Sequence, residues 1–125
     1  MNEQITKIVE VDGSDAGYVV TTTDQVIELL IDNVGDCCES WGWFWSNDNP
    51  QDFIGAELIG VEVVDTALGV ATLDKVGSLD GGGVMFVNLK TSVGVLQFTA
   101  YNSHNGYYGH TATVSSKQLK FETCL

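Results

Sequence analysis

The chain contains no arginine. Arginine is the side chain best suited to bidentate phosphate recognition, because its planar guanidinium meets two oxygens at once. The five bases are all lysines, Lys7, Lys75, Lys90, Lys117 and Lys120, set against seventeen acids for a formal net charge of -12. Repulsion on that scale opposes a polyanion, so direct nucleic-acid binding is not expected. Proline is nearly absent: Pro50 is the one example in 125 residues. With no proline-rich linker and no internal repeat, a single domain over residues 1–125 is expected. No apolar run approaches the roughly 20 residues that cross a bilayer, which excludes a spanning helix. Met1 to Asp15 is too charged for a signal peptide, so the expected location is the cytoplasm, with no membrane partner. Three cysteines cannot all pair within one chain, and reduced thiols are the default in that compartment.

What is present describes a globular β protein. The 44% hydrophobic content and 18% charged content suit a packed core, and fourteen glycines imply many tight turns. Ile5 to Val11 alternates apolar and polar residues and reads as a strand. Asp12 to Gly17 is a cluster of turn-forming residues. Tyr18 to Thr23 is rich in β-branched residues and reads as the second strand, and Val26 to Asp32 as the third. Ser40 to Ser46 follows, then Asn49-Pro50 with Asp52 behind it, the pattern of a helix start; Gly55 is the stop. Glu57 to Asp65 reads as a strand, and its Leu58 to Val64 stretch is nearly continuous in apolar residues, which predicts cover on both faces. Thr66 to Val76 fits helix or strand, with Gly69 weakening the helix. Gly77 to Gly83 reads as a loop. Val84 to Lys90 and Val93 to Ser103 are strands, with Gly94 marking a bulge. Asn105-Gly106 is the strongest hairpin signal, joining the latter strand to a returning one over Tyr107 to Val114. Gln118 to Thr123 closes the chain. The fold expected is mainly β, α+β at most: one antiparallel sheet-rich domain, a twisted sheet or partly open barrel, with one short helix near Pro50–Ile54.

The densest chemistry lies in Asp36-Cys37-Cys38-Glu39-Ser40-Trp41-Gly42-Trp43-Phe44-Trp45. Adjacent cysteines on a strand point to opposite faces and do not share a metal easily; zinc sites use spacings such as C-x₂-C. His104 and His110 match no standard ligand pattern with Cys37, Cys38 or Cys124, so no metal is expected. The surrounding acids raise a thiol pKa rather than lower it, which argues against a catalytic cysteine. No nucleophile and base pair stands out, so neither an enzyme nor a cofactor is expected. Trp41, Trp43 and Trp45 recur at period two and share one strand face. That face is either core packing or an exposed platform, and the sequence leaves both open. Gly81-Gly82-Gly83 lacks the Lys-Ser/Thr ending of a phosphate-binding loop.

Three segments together resemble a family of short domains of unknown function found in bacteriophages and prophages. They are Asp36-Cys37-Cys38-Glu39, Asp52-Phe53-Ile54-Gly55, and the run from Tyr101 through Asn105-Gly106-Tyr107-Tyr108. The resemblance covers Ile5 to Val114; the extra tryptophans and the Gly81–Gly83 loop depart from it. It implies a viral or prophage origin and brings no catalytic residues. In that setting the acidity points to a small phage protein that binds and inhibits a basic host protein in the host cytoplasm. An anti-defence factor, anti-CRISPR-like or other, whose acids mimic nucleic acid is the reading expected. Its partner-binding residues would be Asp32, Asp36, Glu39, Asp48 and Asp52, with Trp41, Trp43 and Trp45 as anchor. The alternative is a module that sequesters a nucleotide signal through Tyr101, His104, Tyr107 and Tyr108.

Overall fold

The computed structural model of the chain describes residues 3–32, 40–46, 49–64, 83–103 and 111–125. Among them are nine strands, one short 3-10 helix and no α-helix. The strands are β1 (Ile5–Asp12), β2 (Asp15–Thr22), β3 (Val26–Asp32), β4 (Ser40–Trp45), β5 (Leu58–Val64), β6 (Gly83–Thr91), β7 (Gly94–Ser103), β8 (Thr111–Ser115) and β9 (Lys120–Cys124). They form two antiparallel sheets, ordered β1-β2-β3-β8-β9 and β4-β7-β6-β5, which do not close into a barrel.

Period-two alternation explains β2, β3 and β8 of the five-stranded sheet, and in β1 the register shift between Ile5 and Lys7 sets Ile5 and Ile8, three apart, on one face. Ile5 and Ile8 of β1, Ala16 and Val20 of β2, Ile27, Leu29 and Ile31 of β3, and Ala112 and Val114 of β8 are all buried. They face Trp45, Met85, Val87, Leu89, Leu96, Phe98 and Ala100 of the second sheet in one continuous core. Tyr18 bridges the layers, its ring 4.9 Å from that of Trp45 and 6.3 Å from that of Phe98. The sheets also meet through backbone. Ile5 donates to the Ala56 carbonyl at 2.9 Å, Gly55 to that of Ile5 at 2.7 Å, and Leu58 to that of Glu3 at 2.7 Å.

The middle of the second sheet is buried on both faces. Met85 to Leu89 in β6 and Leu96 to Ala100 in β7 are consecutive buried residues. This covered position was expected for Leu58 to Val64, but β5 is an edge strand and its Ile59 is 64% exposed. On the face away from the core, Gln97 donates to Asn88 Oδ1 at 3.0 Å, satisfying two amides that would otherwise be costly to bury.

Three local expectations change. The turn expected over Asp12 to Gly17 shrinks to Gly13-Ser14, because β2 begins at Asp15. Gly17 makes this possible: its φ is +140°, and a Cβ there would overlap the Leu29 carbonyl oxygen. Gly94 is not a bulge; it has φ +132° and pairs with Thr91 at the mouth of the β6–β7 turn. The register shifts lie instead at Ile5/Lys7 and Leu58/Gly60. The expected helix is a single 3-10 turn, Pro50–Phe53, in which Asn49 makes no capping bond to the backbone. Gly55, with φ +92°, does end it.

The late hairpin is corrected at the level of topology. Asn105-Gly106 lies outside the described residues, but the strands on either side are described and do not pair with each other. β7 has β4 and β6 as neighbours, whereas β8 has β3 and β9. Both edges of β7 are taken, so the returning strand joins the opposite layer. Thr66 to Val76 also lies outside the described residues.

Candidate functional site

The strand Ser40–Trp45 forms as its alternation predicts and pairs with β7, Trp43 opposite Ala100 and Trp45 opposite Phe98. Trp43 and Trp45 point into the molecule. Trp45 is 6% exposed and stacks edge-on against Phe98 at 5.4 Å, so it belongs to the core and has little surface to offer a partner. Trp43 is half-buried against the same core. Phe44 lies on the other face with Tyr101, ring centroids 5.9 Å apart. Tyr101 also lies over Gly42, where a Cβ would meet its hydroxyl oxygen at 3.1 Å. The Trp41 side chain, with Asp36, Cys37, Cys38, Glu39, Asp48, His104, Tyr107, Tyr108 and His110, lies outside the described residues.

Trp43 marks the mouth between the edge strands β1 and β4. Its indole N–H donates to Glu10 Oε2 at 3.0 Å. Glu10 is the cross-strand partner of Tyr18, so a carboxylate, a phenol and two indoles converge there. Burial raises the Tyr18 pKa above its ordinary value, and the nearby Glu10 carboxylate adds to the rise. The Trp45 indole N–H pulls weakly the other way, although it makes no full hydrogen bond.

Beyond Glu10 the carboxylates gather. Asp12 ends β1, Asp15 begins β2 and Asp32 ends β3, which the antiparallel ladder brings to one end of the five-stranded sheet. Asp15 and Asp32 are direct cross-strand partners. Two like charges so placed destabilise a sheet. Asp32 offsets part of that cost by accepting the Thr111 backbone N–H at 3.0 Å. The lysines of the same sheet lie toward its other end. Lys7 is near the start of β1, while Lys120 begins β9 and Lys117 pairs with Asp24 at 3.1 Å in the turns there. At about 3.3 Å per residue, Lys7 is roughly 16 Å along the strand from Asp12. That is twice the screening length of about 8 Å at physiological salt, so these lysines do little to neutralise the acidic end.

The sheet therefore brings together Asp32, which the sequence singled out, with Glu10, Asp12 and Asp15, which it did not. Asp52, also singled out, is elsewhere: it is exposed on the 3-10 turn, accepting from Asn49 Nδ2 at 3.2 Å. That turn packs beside β1 through Gln51, which donates to the Ile8 carbonyl at 3.1 Å. Among the described residues, no three His, Cys, Asp or Glu side chains are placed to hold a metal ion.

A family described as a domain of unknown function, DUF7448, matches residues 2–114. The chain belongs to the DUF7448 family. No curated protein and no solved structure matches it. The DUF7448 match takes in both flanks of the tryptophan strand and all four carboxylates of the acidic end, and it stops within β8. In this DUF7448 chain, then, the charged end and the Glu10–Trp43 contact both fall within the family's matched stretch.

Proposed function

We propose that this protein is a binding module that docks the acidic end of its five-stranded sheet onto a basic surface of another protein. The observation that carries the reading is the Asp15–Asp32 pair, two carboxylates set directly opposite each other with Asp12 on the neighbouring strand. Such a pair costs stability, and sheets keep locally unfavourable features of this kind where binding uses them. An acidic patch of this geometry presents carboxylates to a groove whose lysines and arginines normally receive phosphates. It speeds association and selects the partner more than it sets the final affinity.

The finer reading is that the protein acts for a phage or prophage by occupying the nucleic-acid groove of a host defence protein. The Asp-Cys-Cys-Glu segment at Asp36 to Glu39 and the Asn-Gly-Tyr-Tyr segment at Asn105 to Tyr108 support it. It requires no catalysis and no cofactor.

Affinity capture from a bacterial host lysate with the intact protein as bait tests this, run beside a Glu10→Gln/Asp12→Asn/Asp15→Asn/Asp32→Asn variant. The expected result is a basic protein captured by the first and lost from the second. Its association rate should fall steeply between low and high salt. Equal capture by both baits, or an association rate indifferent to salt, would overturn the proposal.

A further inference from the structure

We infer that β9 is a self-association edge, on which a second copy of the chain adds its own β9 antiparallel across a two-fold axis at Phe121. Among the described residues β9 pairs with β8 alone, and it forms the border of the five-stranded sheet. Lys120, Phe121, Glu122 and Cys124 are exposed, Phe121 at 37%. An open edge carrying an exposed aromatic ring is a template for another strand.

The direction of the backbone groups follows from the turn before it. Ser116 donates its N–H to the Leu119 carbonyl at 2.8 Å, in register with the β8–β9 ladder. Antiparallel ladders alternate, so Phe121 and Thr123 spend their main-chain groups on β8. Those of Lys120 and Glu122 turn outward. Centring the pairing on Phe121 sets Lys120 of one copy opposite Glu122 of the other, twice. Each such pair uses the outward-turned N–H and C=O groups on both sides. The two Phe121 rings meet as the closer, non-hydrogen-bonded pair. Each ring forms part of the wall of an open cleft of about 550 Å³, with Val63, Val64, Met85, Phe86 and Thr123.

The local charge pattern of the edge, set against a net charge of -12 on each copy, matches a second copy rather than another strand. The sequence Lys120-Phe121-Glu122 is self-complementary only when it runs antiparallel to itself, as an isologous contact requires. Glu10, Asp12, Asp15 and Asp32 stand two or more strands from β9 and stay clear of the seam.

Sedimentation equilibrium at physiological salt, in reducing buffer so that Cys124 cannot link copies, tests the inference from micromolar to millimolar protein. The wild type should show a concentration-dependent dimer. Lys120→Glu and Glu122→Lys should each weaken it by on the order of tenfold, since both repeats of the cross-strand pair become repulsive. The double variant Lys120→Glu/Glu122→Lys should restore it. A wild type that stays monomeric throughout would overturn the inference. So would single variants as dimeric as the wild type, or a double variant that does not recover. These positions are solvent-exposed, and circular dichroism confirms that each variant is folded.

Discussion

At the scale of single residues, Tyr18 is the most informative position. It couples the core, through Trp45 and Phe98, to the charged rim, through Glu10. Because burial is the larger cause of its raised pKa, Glu10→Gln should lower the phenol's titration without returning it to the ordinary value. Phenolate absorbance, compared with a Tyr18→Phe variant, reads this directly; an unchanged titration would remove Glu10 from the account. The linkage to stability has a definite sign. The folded state holds the Tyr18 proton more tightly than the unfolded state, so this contribution is fully present below about pH 10. It is lost as pH rises through the raised value. Little of this was legible in the sequence. Glu10 read as one more polar position of an alternating strand, and only the ladder places it opposite Tyr18 and under the Trp43 indole.

At the scale of elements, local pattern located the strands well and their partners poorly. Val26 to Asp32 and Ser40 to Trp45 stand where β-branched and aromatic alternation put them, because those residues suit a pleated, half-buried surface. The sheet that each strand joins depends on contacts far away in sequence. β7 and β8, joined by a hairpin signal, therefore lie in different sheets. Asp12 and Asp15, and their proximity to Asp32, escaped notice for the same reason: a turn cluster and a strand end are unrelated until the register is known. Gly17 is the residue on which that register turns. Gly17→Ala must place a Cβ against the Leu29 carbonyl at a positive φ, so it should destabilise the fold by roughly 2–4 kcal/mol. Urea denaturation measures the loss, and a variant as stable as the wild type would mean that β2 pairs with β3 in another way.

At the scale of the whole molecule, the two ends of the five-stranded sheet differ in charge. Carboxylates from β1, β2 and β3 stand at one end, whereas toward the other Lys7, Lys117 and Lys120 are mixed with Glu3, Asp24 and Glu28. A net charge of -12 suggested a basic partner from the sequence, but composition cannot say where the charge gathers. The tryptophan strand, which the sequence left open between core and interface, packs Trp45 and Trp43 against the core shared by the two sheets. The surface proposed for recognition is the acidic end beside it. Nuclear magnetic resonance titration of the isotope-labelled protein with a short oligo-arginine peptide tests this most directly. Amide shifts should concentrate at Glu10, Asp12, Asp15, Asp32 and the neighbouring Thr111, and vanish in the variant that neutralises the four carboxylates. Shifts spread evenly over the surface, or persisting undiminished in that variant, would contradict it.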